Sequence, residues 1–312
     1  MEKIKMATRE AYGQALVELA AENPNVVVLD ADLSKSTKTA DFAKVAPERF
    51  FNAGIAEANM VGVACGLASV GKIPFVSSFA MFAAGRAFEQ IRNSVCYGKQ
   101  NVKIAATHAG ITVGEDGGTH QAVEDIALMR ALPGMSVLVP SDWVSAKWAI
   151  KAAAEHVGPC YIRLGRLAAP QLYEADQQFK WGRAQLLRPG SDIVLFACGM
   201  MVSEALEAAE LLAAEGITAA VADIHTIKPL DTEFILDQVQ HCGAALAVEE
   251  HNIIGGLGSA IAEVLAENGS KTAFARVGLN DCFGQSGSPA SLLKYYSLDA
   301  ESIAAAAKRL LV

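Results

Sequence analysis

The chain has 312 residues, of which 52% are hydrophobic and 19% are charged. This length is sufficient for two domains with full cores, and this composition excludes a largely disordered protein. The net charge of −8 and the lack of a basic stripe argue against a nucleic-acid partner.

Helical stretches alternate with short apolar runs through the first half of the chain. The predicted helices are Ala7–Ala21, Met60–Val70, Met81–Tyr97, Gln121–Ala131 and Trp143–His156. The predicted strands are Val26–Leu29, Ile73–Val76, Val102–Ala106, Ser136–Val139 and Cys160–Ile162. Polar loops are expected at 34–39 and 108–120. The pattern predicts a doubly wound α/β domain with a parallel sheet, whose functional loops lie at the carboxyl ends of its strands.

A second alternation of predicted strands and helices begins after a connecting stretch that contains Pro, Gln and Gly residues. The predicted strands are Asp192–Ala197, Thr218–Asp223, Ala244–Glu249 and Thr272–Val277. The predicted helices are Met201–Glu215, Asp231–Val239 and Leu257–Glu267. We therefore expect two doubly wound α/β domains, at 1–170 and 191–312, joined by a linker at 171–190.

The spacing of the cysteines and the length of the apolar runs bear on where in the cell the protein is found. The six cysteines lie far apart and form no CxxC pair, which disfavours a zinc site and a disulfide framework. No apolar run approaches the length of a bilayer-spanning helix, and the N-terminus lacks the apolar core of a signal peptide. We expect a cytoplasmic protein with no membrane partner and no metal site of its own.

The most informative stretch is residues 49–60. It places one carboxylate, Glu57, where a short apolar strand ends and an Ala/Gly-rich helix begins. A charge at such a crowded junction costs free energy unless something binds it, and a ring nitrogen of a cofactor is the best candidate. The alternative is that Glu57 is a helix N-terminal carboxylate that interacts with the helix dipole.

The segment 107–120 also carries unusual chemistry. It holds four glycines, two histidines and two adjacent carboxylates directly after a predicted strand. Glycines let a backbone approach a ligand closely, and histidines exchange protons near neutral pH. The alternative is a solvated loop with capping polar groups, but two histidines framing the loop favour a site.

Several motifs, in order, resemble the second half of transketolase, and the resemblance covers essentially the whole chain. The opening segment Ala7–Arg9 is weak by itself, whereas the loop Gly114–Gln121 is long and specific. The other matching segments are Asp30–Ser36, Gly54–Glu57, Ser77–Phe82 and, less informatively, Asp223–Asp231. The resemblance implies a pyrimidine-binding domain followed by a transketolase C-terminal-like domain.

The resemblance implies thiamine diphosphate as the cofactor. Glu57 is similar to the glutamate that bonds to the pyrimidine ring of the cofactor and activates it. Phe82 resembles the phenylalanine that stacks on that ring, and Phe79 lies nearby, although core packing is the more common fate of a phenylalanine. Asp32, in the segment that resembles the family's Asp-Leu loop, is assigned to the cofactor as well.

The resemblance also implies a substrate site for sugars. His108 and His120 are similar to the family's substrate-facing histidines, and we expect both to take part in catalysis. Asp116 is similar to the carboxylate that reads a sugar hydroxyl.

The resemblance further implies a phosphate clamp formed by Arg9, Ser36 and Arg166. The planar fork of an arginine matches phosphate oxygens, so phosphorylated sugars are expected. Arg166 is alternatively a surface charge after a strand, and Arg163 competes with it for the role.

Two positions depart from the family pattern. Gly85 stands where transketolase has a tyrosine, so Arg86 or Phe88 is expected to supply that wall of the pocket. Ala109 stands where common transketolases have an acidic residue, which resembles deoxyxylulose-phosphate synthase instead.

The magnesium-binding Gly-Asp-Gly motif of the family is absent from this sequence. We therefore expect a split enzyme, in which a separate N-terminal, diphosphate-binding subunit holds Mg²⁺ or Ca²⁺ and the two chains form an α2β2 assembly. The second domain is expected to support self-association. His251 and the nearby glycines suggest a nucleotide site only weakly, and tight-turn packing explains them better.

The resulting hypothesis is a subunit that moves a two-carbon ketol unit from a phosphorylated ketose to an aldose. The enzymatic alternatives are a deoxyxylulose-phosphate-synthase-like subunit and the beta subunit of a 2-oxo-acid dehydrogenase. The non-enzymatic alternative is a scaffold subunit that keeps the fold. Sulfonated or branched sugars also remain open as substrates.

Overall fold

The computed structural model describes residues 4–312, so residues 1–3 of the first expected domain lie outside the described residues. The strands described in the first half are β1 (Lys5–Ala7), β2 (Val26–Asp30), β3 (Phe50–Asn52), β4 (Ile73–Phe79), β5 (Lys103–Thr107), β6 (Ser136–Leu138), β7 (Cys160–Arg163) and β8 (Ala168–Pro170). Its helices are α1 (Thr8–Glu22), α2 (Ser34–Thr37), α3 (Thr39–Val45), α4 (Glu57–Ser69), α5 (Phe88–Gln90), α6 (Asp125–Arg130) and α7 (Trp143–Glu155).

The second half is built in the same alternating manner. Its strands are β9 (Gln185–Arg188), β10 (Ile193–Ala197), β11 (Ala219–Asp223), β12 (Thr226–Lys228), β13 (Ala244–Asn252) and β14 (Ala273–Leu279). Its helices are α8 (Met201–Ala214), α9 (Thr232–Cys242), α10 (Leu257–Glu267), α11 (Pro289–Tyr295) and α12 (Ala300–Leu311).

The first sheet has seven strands in the order β12-β6-β7-β5-β4-β2-β3. All neighbouring strands run parallel except β12, which pairs antiparallel with β6. Strands β2, β5 and β7 are buried along their whole length, as expected for a parallel sheet covered by helices on both faces. The carboxyl ends of β2, β4 and β5 therefore meet at one edge, where the loops that follow them lie close together.

The second sheet has five strands in the order β14-β13-β10-β11-β9. Only β9 runs antiparallel to its neighbour. The expected α/β class with two doubly wound sheets is thus confirmed. The expected linker at 171–190 is not a plain connector, because it supplies β9 to the second sheet.

Three local predictions were wrong in detail. The polar loop expected at 34–39 is instead α2 and the first residue of α3, separated by Lys38. Buried Asp30 organises this segment, because its carboxylate accepts hydrogen bonds from Leu33 N (2.6 Å), Thr37 Oγ1 (2.6 Å) and Thr39 Oγ1 (2.9 Å). The helix expected at 121–131 is shorter than predicted, since α6 covers only Asp125–Arg130. The helix expected at 81–97 is interrupted by π-helical turns at Met81–Arg86 and Ile91–Tyr97, a distortion often found at functional sites.

The two halves are tied together by buried polar contacts. Asp223 of the second half accepts hydrogen bonds from Ser141 Oγ (2.6 Å) and Tyr173 OH (2.7 Å). Arg163 of the first half donates to the carbonyl of Glu250 (2.9 Å). No helix within residues 4–312 is long and apolar enough to cross a membrane.

Candidate active site

Glu57 is the first residue of α4 and lies just beyond the carboxyl end of β3. Its side chain is 2% exposed and pairs with Arg86, whose Nη1 donates to Oε1 (3.2 Å) and Oε2 (3.1 Å). Arg86 is 54% exposed and lies over the ring of Phe82, 5.0 Å from its centroid. A flat cationic donor thus occupies a space bounded by a buried carboxylate and an aromatic face.

Four rings form one cluster at the ends of β4 and β5. The ring of Phe79 stacks on His108 with centroids 3.9 Å apart and lies nearly parallel to Phe82 at 6.0 Å. His120 meets Phe82 edge-on at 5.2 Å. The structure therefore brings together both predicted phenylalanines and both predicted histidines.

His108 is held in one orientation by two polar neighbours. Arg9 Nη1 lies 3.3 Å from His108 Nε2, and because an arginine only donates, Nε2 accepts. The proton of the neutral ring then sits on Nδ1, which donates to Thr107 Oγ1 at 2.9 Å. Burial, and after it the charges of Arg9 and Arg166, lower the pKa of His108 to about 3.

Arg9 links the predicted phosphate clamp to the histidine. Its Nη1 also donates to the backbone carbonyl of Ser36 at 2.9 Å, whereas its buried Nε has no hydrogen-bond partner in the described chain. Burial lowers the pKa of Arg9, Glu10 opposes that shift, and the positive charge of Arg166 adds to it. The contact through Ser36 is made by its carbonyl and not by its hydroxyl.

Arg166 and Arg163 have different environments, which bears on their competition for the clamp. Arg163 is buried and donates through Nε to Asp125 Oδ2 at 2.8 Å, so it is committed to the core. Arg166 is 38% exposed, donates to the carbonyl of Val113 and lies 3.5 Å from the exposed carboxylate of Glu115. Only Arg166 presents its guanidinium to the surface of the site.

Asp32 and Asp116 lie at the rim of the arrangement. Asp32 is exposed, has a positive φ of 64°, and donates its backbone N–H to Asn52 Oδ1 at 3.1 Å. Asp116 is exposed at the end of a 3₁₀ turn, Ile111–Asp116. In residues 4–312, no hydrogen bond or ion pair joins either carboxylate to the Glu57–Phe82 pair.

Sequence reasoning missed the central role of Arg86 in the charge balance of the site. It considered this residue only as a replacement wall near Gly85, and nothing in local spacing links it to a glutamate 29 positions earlier. Thr107 was also missed, although a hydroxyl next to a histidine is a visible signal for tautomer control.

The depressed pKa of His108 predicts a pH dependence of stability. An unfolded histidine titrates near pH 6.5, so between about pH 6.5 and 3 the unfolded chain binds a proton that the folded chain excludes. The stabilisation is present above pH 6.5 and is lost as the pH falls. From pH 6.5 to 4.5 we expect wild type to lose ~2 kcal/mol more unfolding free energy than His108→Asn.

Urea unfolding at the two pH values measures this difference. Asparagine suits position 108 because it tolerates the positive φ of 56° found there. His241→Asn, at the exposed end of α9, is the control, and its unfolding free energy should depend on pH as that of wild type does. Equal pH dependence in wild type and His108→Asn would contradict the prediction.

The donor set fits a planar heterocycle better than a metal ion. One buried carboxylate faces the Phe82 ring across a planar group, Arg86, which shows that the space accepts a flat hydrogen-bond donor. Among residues 4–312, no three His, Cys, Asp or Glu side chains are grouped so that they could hold a metal ion.

Comparison with known proteins gives the family. The family model for the transketolase pyrimidine-binding domain matches residues 4–171, and that for the transketolase C-terminal domain matches residues 182–303. A Methanocaldococcus jannaschii protein, provisionally named a transketolase C-terminal section, is 53% identical over 298 residues, covering 95% of this chain and 93% of that protein.

Two further similarities extend this result. The 6-deoxy-6-sulfo-D-fructose transketolase subunit of Clostridium sp. strain MSTE9 is 44% identical, over 96% of this chain and 92% of that protein. A solved structure described as an inactive β4 tetramer of a split-gene transketolase has a TM-score of 0.90 and 55% identity, covering 98% of each chain.

Proposed function

The chain belongs to the transketolase family, and we propose that it is the pyrimidine-binding subunit of a split transketolase that transfers a two-carbon ketol unit from a phosphorylated ketose to an aldose. The observation that carries this proposal is the Glu57–Arg86–Phe82 arrangement beside His108. It places a buried carboxylate, an aromatic face and a histidine side by side.

The cofactor is thiamine diphosphate. When bound, it supplies the nucleophilic carbon and stores the electron pair of the transferred unit. Glu57 would exchange a proton with the pyrimidine ring through its carboxylate, and Phe82 and Phe79 would offer flat faces to that ring. Asp32 lies beside the end of β3, where its backbone N–H bonds to Asn52, and we keep it as a proposed cofactor contact.

We place the substrate site at the two histidines of the four-ring cluster. His108, with its proton on Nδ1 and its pKa lowered to about 3, stays neutral at physiological pH. His120 and the exposed Asp116 complete a set of groups that can exchange protons with, or hydrogen-bond to, sugar hydroxyls.

Arg9 and Arg166 support a terminal oxyanion on the sugar. Both guanidiniums lie close enough to His108 to lower its pKa, and an anion bound between them would offset the repulsion between the two positive charges. The buried Nε of Arg9 is a donor that such an anion would satisfy. A phosphate meets this need, and the sulfonate named in one relative is likewise a tetrahedral oxyanion, with a single negative charge.

A second chain completes the site. Apolar side chains near Glu57 are exposed to solvent: Ile55 is 76% exposed, Phe51 42% and Val63 45%. Exposed apolar side chains concentrated in one segment, 51–63, are available for an interaction surface. We assign it to a separate N-terminal, diphosphate-binding subunit that holds Mg²⁺ or Ca²⁺, in an α2β2 assembly with self-association of this chain.

The domain boundaries and the compartment belong to the same proposal. The pyrimidine-binding domain is placed at 1–170 and the C-terminal domain at 191–312, which the ranges of the two matching family models support. The expected cytoplasmic location stays a prediction.

The alternatives differ in the substrate they need. A 2-oxo-acid dehydrogenase beta subunit would act on pyruvate, for which Arg9 and Arg166 have no evident use. A deoxyxylulose-phosphate-synthase-like subunit would also accept pyruvate but would form a phosphorylated sugar, so the two arginines do not distinguish it from the proposal, and the assay with pyruvate does. A scaffold subunit would gain nothing from the buried pairing of Glu57 with a half-exposed arginine.

Reconstitution with the partner tests the proposal. The purified chain is mixed with the product of a gene encoding the diphosphate-binding domain, with thiamine diphosphate and Mg²⁺, and assayed with a ketose phosphate, a sulfonated ketose and pyruvate. We expect turnover of a phosphorylated ketose only when both chains are present. Turnover of pyruvate alone, or full activity without the partner, would refute it.

A further inference from the structure

The loop that carries the candidate substrate groups is held in place by the second half of the chain. We define the site loop as residues 108–120. It leaves the end of β5 and forms two short 3₁₀ turns within Ile111–Asp116, separated by a kink at Gly114, before the chain returns towards α6. Ile111 is fully buried and packs in the same apolar cluster as Leu246 and Leu292 of the second half.

The central polar contact is made by Glu250, near the carboxyl end of β13. Its Oε1 accepts a hydrogen bond from the backbone N–H of Thr112 at 2.6 Å. Both residues are buried, so this acceptor satisfies one of the N–H groups that a turn leaves free at its start.

The site loop packs so closely against Glu250 that a side chain at position 110 would not fit. Gly110 has a φ of 82°, and a Cβ atom there would lie 2.2 Å from Glu250 Cδ. The site loop therefore passes directly over the carboxylate. Arg163 anchors the other side by donating to the Glu250 carbonyl at 2.9 Å.

Two weaker contacts from the second half support the same loop. Ser286 Oγ donates to the carbonyl of Glu115 at 2.7 Å. Gln121, just after the loop, donates both to the carbonyl of Ile111 (3.0 Å) and to that of Gln285 (3.0 Å). The second half of the chain therefore contacts the site loop near both of its ends.

We propose that Glu250 is a positioning residue, which fixes the site loop from the second domain so that His108, Asp116 and His120 keep the spacing that a sugar substrate requires. The second domain then has a role in substrate binding beyond assembly. The effect on substrate rests on the proposed function, whereas the effect on the loop does not.

Hydrogen exchange on the full-length chain tests the loop. E250M keeps the size of the side chain but removes the acceptor, and E250Q keeps one acceptor oxygen. We expect amides at 111–116 to exchange about ten-fold faster in E250M and to remain near wild type in E250Q. If E250M does not fold, E250A makes the same comparison.

Glu249 is the matched control, since it is an equally buried carboxylate on the same strand. It accepts from Leu257 N (2.7 Å) and Gly258 N (2.8 Å) at the start of α10 and does not contact the site loop. E249Q should leave exchange at 111–116 unchanged. Unchanged exchange in E250M, or equal acceleration in E250Q, would overturn the proposal.

Kinetics of the reconstituted complex distinguish an effect on the site loop from an effect on substrate binding. We expect E250M to raise KM for the ketose phosphate about ten-fold, with a much smaller change in kcat, and E250Q to restore it. Faster exchange with unchanged KM would keep the loop contact but refute its link to substrate. No ketose turnover by the wild-type complex would instead refute the proposed function and leave the exchange result standing.

Discussion

Replacing Glu57 with glutamine is expected to lower turnover of the assembled complex by on the order of 10³-fold or more, while the chain keeps its fold. Glutamine has the same shape and keeps one oxygen for Arg86, so packing at the start of α4 is preserved. It cannot exchange a proton, which is the role we assign to Glu57.

The stability of the free chain should change little. Arg86 is 54% exposed, so solvent screens its interaction with Glu57, and the loss of the charge pair costs about 1 kcal/mol or less. Ketol-transfer rates of the complex, and urea unfolding of the chain, measure the two effects separately.

E263Q provides a matched control for E57Q. Glu263 also pairs with an arginine, Arg130, at 2.7 Å, but lies on α10 away from the site. It should retain full activity. More than a tenth of wild-type turnover in E57Q, with assembly intact, would show that Glu57 is not the proton-exchanging group.

The second large effect concerns assembly. Val63→Asp is expected to weaken association with the diphosphate-binding subunit on the order of 100-fold, because it places an unpaired charge in a surface that binding removes from water. Val63 lies on α4 next to Gly62, around which a Cβ atom would meet nothing within 4 Å, so this face of the helix is open.

Val63 is exposed in the free chain, so the substitution should change its stability by less than ~0.5 kcal/mol. Sedimentation of mixtures at increasing partner concentration measures the affinity, and activity should return when the partner is in large excess. Val157→Asp, at an 84% exposed apolar position after α7, is the control and should assemble normally. Normal assembly of Val63→Asp would exclude α4 as the contact surface.

The α/β class and the approximate order of elements were predictable from the sequence. Period and composition are local properties, and each strand of a buried parallel sheet is a short apolar run that can be recognised by itself. The motif-based grouping of Glu57, Phe82, His108 and His120 also agrees with their placement at one sheet edge, although their chemical roles stay predictions.

Short and antiparallel strands were not predictable in this way. Strand β12 belongs to the second half of the chain but pairs with β6 of the first sheet. Strand β9 forms in a segment whose composition predicted a linker. Edge strands of three or four residues carry too few positions for a period to be visible. The Asp30 hydrogen bonds that organise 34–39 are likewise side-chain contacts, invisible to hydropathy.

By itself, the sequence determined the family, the two sheets and the residue types available for chemistry, because motifs and periodicity depend on neighbours along the chain. Only the tertiary structure decided which charges are free to act. Arg163 pairs with buried Asp125, whereas Arg166 lies at the surface. Arg86 pairs with Glu57, and Glu250 accepts a hydrogen bond from Thr112. The role of a charged group depends on its burial and on partners tens to more than a hundred positions away, and local pattern carries no information about either.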